Sequence, residues 1–161
     1  MSKVKTNTIQ HVDGSSDNIT LDASQNVTCE SGLTVDGILT QTGTATFSGV
    51  STFNAAAVGE VTALSDGATI ATDLALSNNF SVTLAGNRTL GQPTNQVAGQ
   101  SGSIFVTQDG TGSRTLAYHA DFKWAGGTAP TLTTTAAAVD RIDYIVAAAN
   151  KIHAVASLDV K

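Results

Sequence analysis

The sequence is poor in the residues that staple, kink or charge a chain. Of 161 residues one is cysteine, Cys29, so no disulfide can form within the chain. Flanked by Thr28 and Glu30, that thiol has no neighbouring partner to mark it as a nucleophile, and it reads as a structural residue. Only Pro93 and Pro130 interrupt the backbone. Charged residues make up 13%, roughly half the usual quarter. The eight Lys and Arg are scattered from Lys3 to Lys161, and the net charge of -5 repels a phosphate backbone, so nucleic-acid binding is not expected. Apolar runs such as Ile145 to Ala149 are far shorter than the roughly 20 residues of a membrane-spanning helix. The opening MSKVKTNTIQ lacks the apolar stretch of a secretion signal, so synthesis in the cytoplasm without membrane insertion is expected.

Thr, Ser, Gly and Ala fill the space left by charge. Thr and Val suit pleated, half-buried surfaces and Gly supplies turns, so the composition predicts an all-β chain. From Asn26 the sequence also repeats in sixes: NVTCES, GLTVDG, ILTQTG, TATFSG, VSTFNA. The third position is always Thr (Thr28, Thr34, Thr40, Thr46, Thr52), and the sixth is always small (Ser31, Gly37, Gly43, Gly49, Ala55). Positions two and four are mostly apolar, with Val27, Cys29, Leu33, Val35, Leu39, Phe47 and Phe53 against Gln41, Ala45 and Ser51. This is the alternation of a short strand closed by a tight turn, and a fixed short period predicts a β-helix or β-spiral.

Five hexads do not hold themselves together. Counting Ile38 and Val50, nine sizeable apolar side chains are spread over thirty residues, less burial than offsets the ordering of thirty backbones. A single-chain β-helix would use three hexads per coil, leaving fewer coils than a stable array needs. Three identical chains wound about one axis bury all three inner faces and pair the strand edges, so the hexads predict a homotrimer. The shaft of that trimer is expected to use Val27, Cys29, Leu33, Val35, Leu39, Phe47 and Phe53 as apolar contacts and Gly37, Gly43 and Gly49 as close approaches. The competing reading is a pair of Thr-rich hairpins.

Three segments follow. Residues 1–18 form an extended polar docking arm, with Val4, Thr6, Thr8 and Ile9 as its expected contacts. Residues 19–55 form the hexad shaft, a short intertwined triple-stranded β-helix or β-spiral. Residues 56–161 form a β-sandwich, with strands expected at Val61 to Leu64, Thr69 to Leu76, Phe80 to Leu84, Ser103 to Gln108, Arg114 to His119, Val139 to Ala147 and Ile152 to Leu158. Asp109-Gly110 and Gly112 between two of these read as a hairpin turn. Trp124, Phe122, Tyr118, Tyr144 and Phe105 are the expected core bulk.

No constellation carries catalysis. His11, His119 and His153 lie in different segments with no metal-ligand spacing to another His, Cys or carboxylate. Asp109, Asp121, Asp140 and Asp143 offer the carboxylates that a glycan hydrolase would pair across a sugar, but Asp109 reads as turn chemistry, and Asp140 and Asp143 bracket Arg141. The Asp109 to Gly112 stretch DGTG lacks the Lys of a phosphate loop. No catalytic residue, cofactor or metal is expected. Trp124 with Lys123 and Tyr118 reads as core and rim, with a sugar-stacking platform as the alternative.

The run GSIFVTQDGTGSRTLAYHADFKWAGGTAPTLTTTAAAVDRIDYIV, from Gly102 to Val146, resembles a C-terminal module of tail-fibre-like structural proteins of marine and other tailed bacteriophages. The opening MSKVKTNTIQ and the stretch NITLDASQNVT resemble the beginnings of such proteins. The resemblance implies tight turns at residues 108–115 and at Gly126, Gly127 and Pro130, and no catalytic role. It implies a non-enzymatic virion structural protein, a short trimeric fibre-like component of tail or head whose arm docks on other virion proteins. The alternative is a trimeric capsid decoration protein. A module that binds a host-surface glycan, or a depolymerase, ranks below both.

Overall fold

The strands from Val61 onward grow out of simple alternation: a small or apolar residue turned inward, then a polar one turned out. The computed structural model describes residues 34–43 and 45–161. The expected arm and the hexad residues before Thr34 lie outside them. The chain divides into two units, 1–51 and 52–161. Among the described residues of the first unit no helix or strand occurs.

The second unit is all-β: β1 (Val61–Ala63), β2 (Thr69–Ile70), β3 (Asn79–Leu84), β4 (Arg88–Leu90), β5 (Ser101–Gln108), β6 (Leu116–Tyr118), β7 (Phe122–Trp124), β8 (Val139–Ala148) and β9 (Lys151–Ser157). The one helical feature is a single 3-10 turn, Ala125–Gly127, with positive φ at Gly126 (68°) and Gly127 (75°), within the second expected turn. Each of the seven expected strands has a counterpart. β4 and β7, three residues each, had no expected counterpart, and the expected Thr69 to Leu76 strand stops at Ile70.

Six strands form one sheet in the order β1-β3-β5-β8-β9-β7, and three form another in the order β2-β4-β6. The first six strands alternate between the two sheets. β1 pairs parallel with β3, and β3 with β5; β2 pairs parallel with β4, and β4 with β6. Neighbours in each sheet are therefore one coil apart, joined by corners rather than hairpins. Gln108 to Thr115 is such a corner. It was expected to fold β5 back onto the next strand, but β6 joins the other sheet, beside β4. Positive φ at Gly112 (73°) and Ser113 (62°) turns the chain. Asp109 Oδ1 accepts the amides of Thr111 and Gly112 at 2.9 and 2.8 Å, and the buried Gln108 side chain bonds both the amide and the carbonyl of Arg114. Asp-Gly chemistry of this kind bends a chain regardless of where the next strand lands.

At the C-terminal end of the coil two antiparallel strands extend the large sheet past β5. β8 runs antiparallel to β5, then returns as β9 through Ala149 and Asn150, the latter at φ 57°. β9 also pairs parallel with β7. Inward residues of both sheets share one core: Ile70, Leu90 and Leu116 from the small sheet, and Phe80, Val82, Leu84, Ile104, Val106, Ile142, Val146 and Ile152 from the large one. Each such side chain contributes about 1.5–3 kcal/mol of burial. Phe122 and Tyr144 belong to this core, while Tyr118 and Trp124 pack at its margin. Phe105 does not. It alternates with Ile104 and Val106, so it falls on the outer face and is only half-buried.

Candidate functional site

Two surfaces carry the residues that the sequence singles out. The first is the stretch before β1. Val27, Cys29 and Leu33, and the arm residues Val4, Thr6, Thr8 and Ile9, lie outside the described residues. Val35, Leu39, Phe47 and Phe53 are exposed, Phe47 at 71% and Leu39 at 70%. Ile38, Val50 and Val58 are nearly fully exposed. A Cβ added at Gly37 or Gly49 would meet nothing within 4 Å, and one at Gly43 only the tip of Gln41 at 3.5 Å. Among the described residues Gln41 alone approaches any of these glycines.

The second surface is a groove on the outer face of the large sheet, about 540 Å³, beside Trp124. Lys123, Ile145, His153 and Val155 line it because each occupies an outward position of β7, β8 or β9. Trp124 is fixed from beneath by Tyr118, ring centroids 4.7 Å apart in edge contact, and by Phe122 at 6.2 Å, nearly parallel. Lys123 Nζ donates to the Ala120 carbonyl at 2.5 Å, so its charge is already partnered. Of the sequence's platform residues, Trp124 and Lys123 line the groove and Tyr118 supports it. Ile145 and Val155 were missed. Their signal was an apolar residue at an outward position, following Asp143 on one strand and His153 on the other.

The Tyr118 hydroxyl is buried without a hydrogen-bond partner among the described residues. Loss of water, with the nearby Asp140 charge, pushes its pKa well up. Tyr144 donates its hydroxyl to the Asn78 carbonyl at 2.9 Å, and burial pushes it up to about 12.

The carboxylates weighed for catalysis each hold backbone or side chains in place. Asp109 accepts Arg114 Nε and a terminal guanidinium nitrogen at 2.9 and 2.8 Å, and that guanidinium holds its carboxyl below the usual range. Asp140 lies in the apolar row of Val82 and Val106, where it accepts the amides of Thr133 at 2.7 Å and Asp159 at 2.8 Å. Asp121, also buried, accepts the side-chain amides of Gln92 and Gln96. Asp143 binds the Ser103 hydroxyl and Arg141. His119 Nδ1 accepts the Asp121 amide at 3.2 Å. Among the described residues no group of three or more His, Cys, Asp or Glu is placed to hold a metal ion. The arrangement braces corners and offers an apolar groove.

No curated protein and no solved structure matches the chain. Residues 68–147, from just before β2 to within β8, match the model of a family described as a phage tail fibre C-terminal domain. The matched stretch, 80 of the 161 residues, covers most of the parallel coil and the first strand of its cap, and over it the chain is similar to a phage tail fibre C-terminal domain.

Proposed function

We propose that the chain is a non-enzymatic structural protein of the bacteriophage virion, a short trimeric fibre-like component whose N-terminal arm and hexads assemble and anchor it while the 56–161 segment projects. One observation carries this reading. The tail-fibre match falls on a capped β-coil, and ahead of that coil the same chain presents a Thr-rich repeat whose large apolar side chains are exposed in a single copy. Exposed Ile38, Leu39, Phe47, Val50 and Phe53 are costly in water and are relieved by burial against other copies. The test has two parts. Light scattering on the full chain is expected to give three times the 16.3 kDa of one chain. Quantitative mass spectrometry of purified particles is expected to find a few tens of copies or fewer; hundreds per particle would replace the fibre reading with capsid decoration.

The groove beside Trp124 favours a second, compatible role in contacting a host-surface glycan, since an aromatic face flanked by polar tips suits the apolar face of a sugar ring. Trp124→Ala is then expected to reduce adsorption to host cells while leaving the oligomer intact. Unchanged adsorption removes this role.

A further inference from the structure

The large sheet is extended past the coil at one end and begins with β1 at the other. The β8–β9 hairpin covers β5 and reaches β7, while β6 and β7 remain sheet edges among the described residues. At the N-terminal end of the coil, among the described residues, β1 pairs only with β3, and β2 only with β4. The free side of β1 is only three residues long but is otherwise unguarded. Val61, Thr62 and Ala63 include no Lys, no Pro and no charge, and Val61 is 49% exposed. Leu76, 66% exposed, adds apolar surface at the same end, where it lines a groove with Thr62, Ala63 and Leu64.

The direction of the unused hydrogen bonds follows from the ladder. The Leu64 amide donates to the Ser81 carbonyl of β3 at 2.8 Å. Backbone polar groups alternate along a strand, so Thr62 and Leu64 face β3 while the N–H and C=O groups of Val61 and Ala63 point to the open side. Each copy thus presents an acceptor edge. Each copy also carries a donor, the hexads upstream, bent at 36–37, 43, 48–49 and 54–55, exposed and without strand partners among the described residues.

We propose that β1 is an assembly edge: its free side pairs with the 34–55 hexads of a neighbouring copy of this chain. The inference rests on the trimeric reading above and names the contact that closes the ring. Donor and acceptor are different segments of the chain, so the contact is heterologous, and a threefold rotation satisfies all three edges at once. Ring closure uses every donor and every β1 edge, so no open filament grows. β-Augmentation supplies main-chain hydrogen bonds, and the hexad apolar residues cover the Val61, Leu64 and Leu76 end.

The test uses the full chain. Ala63→Pro removes an N–H that points to the open side and leaves the β1–β3 ladder in place. It is expected to keep the β-type circular dichroism of wild type and to fall from three times 16.3 kDa to 16.3 kDa. As a second route, Phe47→Asp with Phe53→Asp disables the donor at exposed positions that the coil does not need. Each variant alone is expected to be monomeric, and their mixture to form a one-to-one pair of twice the chain mass, since one keeps its donor and the other its edge. A trimeric wild type with a trimeric Ala63→Pro variant, or a mixture that stays monomeric, overturns the edge assignment while the trimer stands. A monomeric wild type overturns the trimer itself.

Discussion

Gly102 is where this fold tolerates a side chain least. It sits on β5 opposite Tyr144 of β8, and the carbonyl of Asn78 is held over it by two hydrogen bonds, from the Ser103 amide at 3.1 Å and the Tyr144 hydroxyl at 2.9 Å. A Cβ at this position would stand 1.6 Å from that oxygen, where real contacts stay above 3.0 Å. The carbonyl must then retreat by the difference, at least 1.4 Å, which breaks both of its bonds. Two hydrogen bonds at about 0.5–1.5 kcal/mol each, together with overpacking of about 1–3 kcal/mol, put the loss for Gly102→Ala at about 2–6 kcal/mol. A domain of this size has about 5–15 kcal/mol to lose. At about 4–8 °C per kcal/mol, the melting temperature should fall by roughly 8 °C at the least. The assay is thermal unfolding of the full chain followed by far-ultraviolet circular dichroism. Adding Tyr144→Phe should not restore stability, because the obstacle is the backbone oxygen and not the phenol. Gly126→Ala is the control. Its Cβ meets nothing within 4 Å and only its φ of 68° is unfavourable, a cost of about 1–2 kcal/mol. A Gly102→Ala protein that melts with wild type, or above Gly126→Ala, refutes the close approach of Asn78.

Asp140→Ala removes the buried carboxylate that accepts the amides of Thr133 and Asp159, two hydrogen bonds to a charged group at about 1.5–3 kcal/mol each, and should cost about 3 kcal/mol or more by urea unfolding; a loss under about 1 kcal/mol would mean those amides find water. Below pH 4 the 52–161 unit should weaken. Asp66 and Asp109 are held below their ordinary 3.8 by Arg88 and Arg114, so the stability they add is present above that value and is lost as pH falls through their lower folded-state values. Asp109→Asn should therefore flatten the acid limb of the stability profile, and an unchanged limb would remove Asp109 from the account. Both tyrosines are raised above their ordinary 10, Tyr144 to about 12. Absorbance at 295 nm should therefore show no phenolate step near pH 10 in the folded chain, and folding stability should decline as pH rises from 10 through 12; an ordinary step at pH 10 would mean that at least one ring is hydrated.

Much of the strand content was legible because alternation is local. Phe80, Val82 and Leu84, or Ile142, Tyr144 and Val146, announce their inward stripe without reference to any other segment. β4 and β7 had no expected counterpart, whereas β1 and β6, equally short, fall inside the longer alternating stretches Val61 to Leu64 and Arg114 to His119. The groove was half legible: Trp124 and Lys123 stood out by type, whereas Ile145 and Val155 become a surface only when β8, β9 and β7 lie side by side.

The sequence by itself determined that the chain is β-rich, where its longer strands fall, and that thirty residues repeat in sixes. These depend on side-chain alternation and composition, which act over a few residues. Tertiary structure decided which strand pairs with which. Asp109, Gly110 and Gly112 bend the backbone equally well into a hairpin or a corner, and nothing within the turn says which sheet receives β6. That choice is made by distant partners: Leu116 gains burial beside Leu90 and Ile70, β5 finds its neighbours in β3 and β8, and only the sum of those long-range contacts favours a parallel coil whose large sheet is extended by β8 and β9.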